Sequence, residues 1–177
     1  MEALVVNLST RQDIPFARLA TLIGDQYAIT MSQGTISNIL ERFEFKDRSV
    51  YDYIHAAIPK SEVAGSDETS VQVNGHKNWF HTYQTADWTF IGFDQSRGKA
   101  AQQKFYPLGL PNTHLVTDCL AVQLSTPARR HQVCVDHLLR ELNAMGQEHP
   151  SQNWTVQMKA LFKQALELKK GTTPQSR

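Results

Sequence analysis

The first sixty residues place apolar side chains at helical spacing. In residues 14–27 they recur every three or four positions, which predicts an amphipathic helix. Ser32 can cap a second helix, because its hydroxyl can accept from free amides of the first turn, and residues 36–43 supply the apolar stripe. An interruption is expected at residues 45–47 before a further helical stretch. Residues 1–60 are therefore expected to form a helical segment similar to a helix-turn-helix.

Two interpretations of this segment stay open. Polar Gln33, Thr35, Ser37 and Asn38 on the second helix suit a helix that reads DNA bases. A plain helical hairpin is the alternative, since residues 1–60 carry 6 Lys/Arg against 7 Asp/Glu. Phosphate contacts require positive charge, so the charge balance favours the plain hairpin.

After residue 60 the pattern changes to the alternation of β-strands, with β-branched and aromatic residues. The predicted elements are strands at 63–73, 77–83 and 88–93, a helix at 96–105, strands at 114–117 and 129–135, and two C-terminal helices. Asn74-Gly75 is expected to form the first hairpin turn, because both residues tolerate positive φ. The fold class is α/β: a three-stranded antiparallel meander plus parallel strands with flanking helices, as in ribonuclease H-like folds.

Composition places few further limits. The chain has 177 residues, 41% of them hydrophobic, and suits one principal domain. Its net charge of +1 does not favour a protein that coats DNA, although residues 61–177 carry 12 Lys/Arg against 10 Asp/Glu. Two cysteines are too few for a disulfide framework, and no apolar run approaches the ~20 residues of a membrane span. We expect a cytoplasmic protein without membrane contact.

Two acids stand at strand positions that suit metal chemistry. Asp67 lies in the first strand and Asp118 ends the fourth, so both carboxylates would share one site if these strands are neighbours. Mg²⁺ prefers such oxygen ligands, and a pair of ions can promote phosphodiester cleavage and joining. An acid at a strand end is more often a turn former, however. Glu68 is not expected to be a ligand, because consecutive strand residues face opposite sides.

A second group of residues has the chemistry of a zinc site. His131, Cys134 and His137 are typical zinc ligands, and Cys119 or His114 could supply a fourth. Their spacing matches no standard zinc finger. A strand-to-helix junction with a buried cysteine and a hydrogen-bonded histidine is the favoured interpretation.

Several blocks of sequence follow one another in a characteristic order. They read SQGTISNIL from Ser32, GSDETSVQVNG from Gly65, SRGK from Ser96, VTDC from Val116 and HQVCVDHLLREL from His131. Together they resemble transposases of the bacterial insertion-sequence family numbered sixty-six. Blocks in order are far more specific than any single one, and these span most of residues 27–145.

The resemblance implies a ribonuclease H-like catalytic core with an Asp, Asp, Glu triad, which binds Mg²⁺ or Mn²⁺ and cuts and joins DNA. Asp67 and Asp118 would be the first two catalytic, metal-binding acids. Cys134 and His137 match a Cys-x-x-His signature that supports the site structurally. The implied partners are insertion-sequence ends, target DNA and further copies of the chain, at the nucleoid in the bacterial cytoplasm.

The third acid of the family has no matching block before Arg177. Glu141 and Glu148 come too early, and Glu167 lacks the neighbouring residues of the family block. Residues 61–177 are therefore expected to be a partial core from a truncated copy, inactive alone. The alternatives are a non-catalytic DNA-binding or interaction protein derived from a transposase, and a nuclease that completes its site with Glu141 or Glu148.

Overall fold

The computed structural model describes residues 1–172, which divide into two compact units. The first is Met1–His55, and the second begins at Ala56. The first unit is built from α1 (Glu2–Thr10), α2 (Phe16–Tyr27) and most of α3 (Gln33–Ala57). The second holds a β-sheet with its own helices, and each unit has a separate set of internal contacts.

The core of the first unit takes one apolar face from each of its three helices. Val5, Leu19 and Ile36 are fully buried there. Each such side chain contributes about 1.5–3 kcal/mol through its removal from water. The predicted cap of α3 is confirmed, because the Thr35 amide donates to the Ser32 hydroxyl over 3.0 Å.

Two features of this unit were not predicted correctly. The expected interruption at residues 45–47 is wrong, because α3 runs without a break from Gln33 to Ala57. Its second half carries exposed apolar side chains, Phe45 at 86% exposure, so no buried stripe marks it as helix in the sequence. The short helix α1 was not predicted at all, since only Val5 and Val6 of its nine residues are buried.

A mixed five-stranded sheet forms the centre of the second unit. The strands are β1 (Val63–Val73), β2 (His76–Gln84), β3 (Thr89–Asp94), β4 (Leu110–Thr117) and β5 (Ala128–Val133), in the spatial order β3-β2-β1-β4-β5. The pairs β1–β2 and β2–β3 are antiparallel, whereas β1–β4 and β4–β5 are parallel. The predicted ribonuclease H-like sheet, a meander continued by parallel strands, is confirmed.

In the described part of the second unit, four α-helices accompany the sheet, and a 3₁₀ helix at Ile58–Lys60 precedes it. They are α4 (Lys99–Phe105), α5 (Ala121–Leu124), α6 (Val135–Glu148) and α7 (Trp154–Thr172). The helix α4 makes the crossover from β3 to the parallel strand β4, as predicted. Within residues 1–172, no helix combines the length and apolar character that crossing a membrane requires.

The hairpin between β1 and β2 turns at the predicted dipeptide. Asn74 and Gly75 have φ values of +51° and +76°, and the flanking Val73 and His76 are paired. Two successive residues with positive φ match the right-handed twist of a two-residue hairpin. This turn fixes the register of the long β1–β2 ladder.

An aromatic cluster fastens α4 to the sheet. The Phe105 ring lies 5.8 Å from that of Phe90 and 5.4 Å from that of His81, measured between centroids. Gly92 of β3 lies directly beneath Phe105, and a Cβ at this glycine would come within 2.4 Å of the ring. The helix approaches the strand this closely because residue 92 has no side chain.

Gly92→Ala is expected to lower the free energy of unfolding by about 1–3 kcal/mol, because the added methyl group forces Phe105 out of its position. Urea unfolding followed by circular dichroism measures the change. Ile91→Thr is the matched control in the same strand, since Ile91 is 51% exposed. Equal stability of the Gly92→Ala and wild-type proteins would contradict the proposed close contact.

Candidate metal centre

The carboxylates of Asp67 and Asp118 meet beside the parallel pair β1–β4. The pairing between β1 and β4 ends with Gly65 opposite Val116. Asp67 lies two positions after Gly65, and Asp118 lies two positions after Val116. Residues two positions apart in a strand face the same side. One ligand oxygen from each of Asp67, Glu68 and Asp118 lies within 4.8 Å of the others.

Asp118 is held in place through both carboxylate oxygens. Its Oδ1 accepts a hydrogen bond from the Leu120 amide over 2.8 Å, and its Oδ2 accepts one from Arg97 Nη2 over 3.2 Å. The bond to Leu120 shows that Asp118 also stabilises the turn after β4. This structural role does not prevent metal binding, because a carboxylate offers about four lone-pair positions.

Asp67 is the most accessible acid of the group. Its Oδ1 accepts a hydrogen bond from the Glu68 backbone amide over 2.9 Å, and the residue is exposed to solvent. The side chain of Asp118 is 18% exposed. A ligand can therefore approach the two acids from solvent on the side of Asp67.

Glu68 lies on the inner side of the same group. Its side chain has no exposed surface, and its Oε1 accepts from Gln123 Nε2 over 2.5 Å while its Oε2 lies 3.3 Å from Arg97 Nε. From the sequence, Glu68 is expected to turn away from Asp67. Its carboxylate joins the group nevertheless, and Arg97 contacts both Glu68 and Asp118.

The charge of this buried carboxylate acts on the phenol of Tyr83. The residue is 3% exposed, and burial, followed by the charge of Glu68, raises the pKa of the Tyr83 phenol well above its usual value, against the opposite effect of a hydrogen bond with Ser66. The phenol therefore stays neutral at physiological pH. Compensation of the buried Glu68 charge comes from Arg97.

Arg97 was not predicted as part of the site. It follows β3, and its guanidinium bridges Glu68 and Asp118 while its carbon Cζ lies 5.1 Å from the centre of the Trp79 ring. The planar guanidinium suits both contacts, since it donates in its own plane and stacks through its face. The SRGK block marked this position in the sequence, but nothing in the sequence indicated which acids Arg97 would meet.

Cys134 and His137 line the same cleft as the two acids, a space of about 150 Å³. The Cys134 amide donates to the Thr117 carbonyl over 2.6 Å, which continues the β4–β5 pairing to the start of α6. His137 lies in the first turn of α6, and its Nδ1 is buried without a hydrogen-bond partner. Cys134 thus belongs to a strand-to-helix junction, while the hydrogen bond expected for the histidine is not seen at Nδ1.

The zinc interpretation receives no support in residues 1–172. There, Asp67, Glu68 and Asp118 are the only His, Cys, Asp or Glu side chains found to converge in a group of three or more. His131 is exposed on β5 and joins no such group. A tetrahedral zinc site needs four convergent ligands, so this cluster lacks the required geometry.

The later glutamates also stay outside the acidic group. Glu141 and Glu148 are exposed on α6, and Glu167 forms an ion pair with Lys170 over 2.7 Å. Within the described part of the chain, Glu68 is thus the acid whose carboxylate accompanies Asp67 and Asp118. The expectation that the family's Glu follows Arg177 stays a prediction.

Comparison with known proteins identifies the family. A family model described as "Transposase IS66 family" matches residues 1–177. The chain belongs to this family. No curated protein matches it. This IS66 transposase core has the antiparallel meander and parallel strands that the strand pattern predicted, and Asp67 and Asp118 converge in it together with Glu68.

Solved structures of retroviral integrases are also similar to the chain. The HTLV-2 integrase catalytic core domain in complex with magnesium is 13% identical in its trimeric form, covering 52% of this chain and 76% of that chain at a TM-score of 0.35. A simian T-cell lymphotropic virus intasome in complex with PP2A regulatory subunit B56 gamma is 12% identical, covering 84% and 63% at a TM-score of 0.32. Likeness at this level carries no inference about the function of this chain.

Gln123→Leu is expected to lower the free energy of unfolding by about 1–3 kcal/mol, because it removes a hydrogen-bond donor from a buried carboxylate. Gln103→Leu is the control, because it makes the same substitution at an exposed position on α4, and it is expected to change the stability little. Urea unfolding of both variants measures the difference. Equal stability of the two would contradict an important bond between Gln123 and Glu68.

Proposed function

We propose that this IS66-family chain is a transposase catalytic core, in which Asp67 and Asp118 hold Mg²⁺ or Mn²⁺ for the cleavage and joining of DNA strands. The observation that carries the proposal is the convergence of these two carboxylates at the end of the β1–β4 pair. Family membership supplies the reaction class.

The side chains present fit a magnesium or manganese ion. Asp67 and Asp118 offer hard oxygen donors, and the exposure of Asp67 leaves room for the waters and phosphate oxygens that Mg²⁺ retains. Glu68 fits less well as a ligand, because Arg97 and Gln123 already engage its two oxygens. Bound ions of this kind activate a water or a 3′-hydroxyl and stabilise the leaving oxygen.

The contribution of the chain itself is to orient the two acids. The Leu120 amide fixes Oδ1 of Asp118, and the Glu68 amide fixes Oδ1 of Asp67. Hydrogen bonds to a metal ligand restrict its orientation and commonly change metal affinity about 10- to 100-fold. Cys134 and His137 support the site by holding the start of α6 beside Asp118.

DNA is the proposed substrate, both as insertion-sequence ends and as target. Arg129 and Arg130 are exposed on β5, and α7 carries further exposed lysines, which can contact phosphates. A homo-oligomer would allow two DNA ends to be held together. Such a substrate would place the protein at the bacterial nucleoid in the cytoplasm.

Asp67→Asn and Asp118→Asn are each expected to weaken Mn²⁺ binding by more than about tenfold, because each removes a charged ligand and even outer partners of metal ligands contribute that much. Isothermal titration calorimetry measures the affinity. Metal-dependent nicking of labelled duplex DNA is expected to be lost in the same variants. Asp87→Asn is the control, since Asp87 is an exposed acid in the turn before β3.

Two results would count against the proposal. Mn²⁺ affinity equal to wild type in both Asp67→Asn and Asp118→Asn would show that the metal binds elsewhere. DNA binding that weakens with salt, without any metal binding by the wild-type protein, would instead support a non-catalytic DNA-binding protein derived from a transposase.

Glu141→Gln tests the alternative of a nuclease that completes its site on α6. Glu141 follows His137 by one helical turn, so both lie on one side of α6, and His137 lines the cleft. Because the Glu141 carboxylate is outside the acidic group, Glu141→Gln is expected to keep wild-type Mn²⁺ affinity and nicking. Loss of nicking in this variant would favour the nuclease.

A further inference from the structure

Arg97 stands between two carboxylates that differ in their exposure. Its Nε lies 3.3 Å from Glu68, whose side chain has no exposed surface, and its Nη2 lies 3.2 Å from Asp118, whose side chain is 18% exposed. The Arg97 side chain is itself 38% exposed, and its guanidinium lies over the Trp79 ring. One of its two ionic partners is enclosed by protein, and the other opens towards solvent.

Loss of the contact between Arg97 and Glu68 would destabilise the fold. A buried carboxylate that loses its cation becomes an uncompensated charge, at a cost of about 3–5 kcal/mol. Asp118 has no such need, because its partly exposed carboxylate can be stabilised by water or by a metal ion. Arg97 therefore has a fixed partner in Glu68 and an exchangeable partner in Asp118.

We propose that Arg97 is a resident counter-cation of the acidic group: it neutralises Asp118 while no metal is bound and releases Asp118 when a divalent ion binds. The inference rests on the proposed function, in which Asp67 and Asp118 hold the metal. The guanidinium Nη2 lies 3.2 Å from Asp118 Oδ2. A divalent ion bound to Asp118 would repel it, since the two cations would share one carboxylate. Arg97 then stays on Glu68 and Trp79.

The released guanidinium has a suitable new partner in the substrate. Arginine binds phosphate oxygens in a bidentate manner. Arg97 remains bonded to the buried Glu68 through Nε, while its side chain is partly open to solvent. The exchange would couple the two ligands of the site, because metal binding frees the arginine that a DNA phosphate can contact. Arg97 thus acts as a positioning residue for Asp118 before metal binds and as a phosphate contact afterwards.

Arg97→Gln is expected to bind Mn²⁺ about tenfold more tightly than wild type, because it removes a positive charge that repels the ion and competes with it for Asp118. Isothermal titration calorimetry at low ionic strength gives the affinity without any need for catalysis. Lys104→Gln is the matched control: it also removes one cation of an ion pair, with Asp94 at 2.9 Å, but contacts none of the three acids. Unchanged or weaker Mn²⁺ binding by Arg97→Gln would overturn the inference.

The double variant Arg97→Gln, Glu68→Gln removes both charges of the buried pair. Because no unpaired buried charge remains, the double variant is expected to fold even if the single variant does not. It also lacks the Glu68 carboxylate, so a gain in affinity cannot come from Glu68 acting as a new ligand. It is expected to bind Mn²⁺ more tightly than wild type as well. Binding no tighter than wild type in the double variant would show that Arg97 does not compete with the metal.

Asp67→Asn separates failure of this inference from failure of the proposed function. If Asp67→Asn loses Mn²⁺ binding while Arg97→Gln does not gain it, the metal site stands and the role of Arg97 is refuted. If neither wild type nor Arg97→Gln binds Mn²⁺, both proposals are refuted.

DNA binding tests the second half of the exchange. With Ca²⁺ present in place of Mn²⁺, Arg97→Gln is expected to bind duplex DNA more weakly and to reduce the salt dependence by about one phosphate contact. Without a divalent ion, the same substitution is expected to leave the salt dependence unchanged, because Asp118 then holds the guanidinium. The same effect with and without Ca²⁺ would overturn the coupling between metal and phosphate.

Discussion

The parallel pairing of β1 with β4 is the constraint on which the site depends. Gly65 pairs with Val116, so Asp67 and Asp118 stand at the same level two residues further on. The pairing of β4 with β5 places Cys134 beside the end of β4, because the Cys134 amide donates to the Thr117 carbonyl. Shifting the β1–β4 pair by one residue would turn the side chains of one strand to the other face and separate the acids.

Burial of Glu68 imposes the second constraint. A buried ion pair contributes little net stability, because loss of hydration offsets the attraction, whereas an unpaired buried charge is costly. The pair of Glu68 with Arg97 is therefore better explained by the order it imposes than by stability. It holds the guanidinium at a fixed distance from Asp118 and places Gln123 of α5 behind the same carboxylate.

The sequence predicted those structural features that depend only on residues close together in the chain. The strand β1, the turn at Asn74-Gly75 and the cap at Ser32 follow from alternation, positive φ and a hydroxyl acceptor, and the structure contains all three. The second half of α3 escaped prediction because its apolar side chains are exposed. The pairing of Arg97 with Glu68 escaped it for another reason: residues 29 apart in sequence meet only through the tertiary fold.

Three carboxylates within 4.8 Å repel one another, so the chain needs a cation at this place even before any metal arrives. Arg97 meets that need from within the fold, and its attachment to Glu68 keeps it there when its second partner changes. Without Arg97, the charges of Asp67 and Asp118 would lack a nearby cation until an ion bound. With Arg97 present, the same two acids can be oriented first and can bind the metal afterwards, at some loss of affinity.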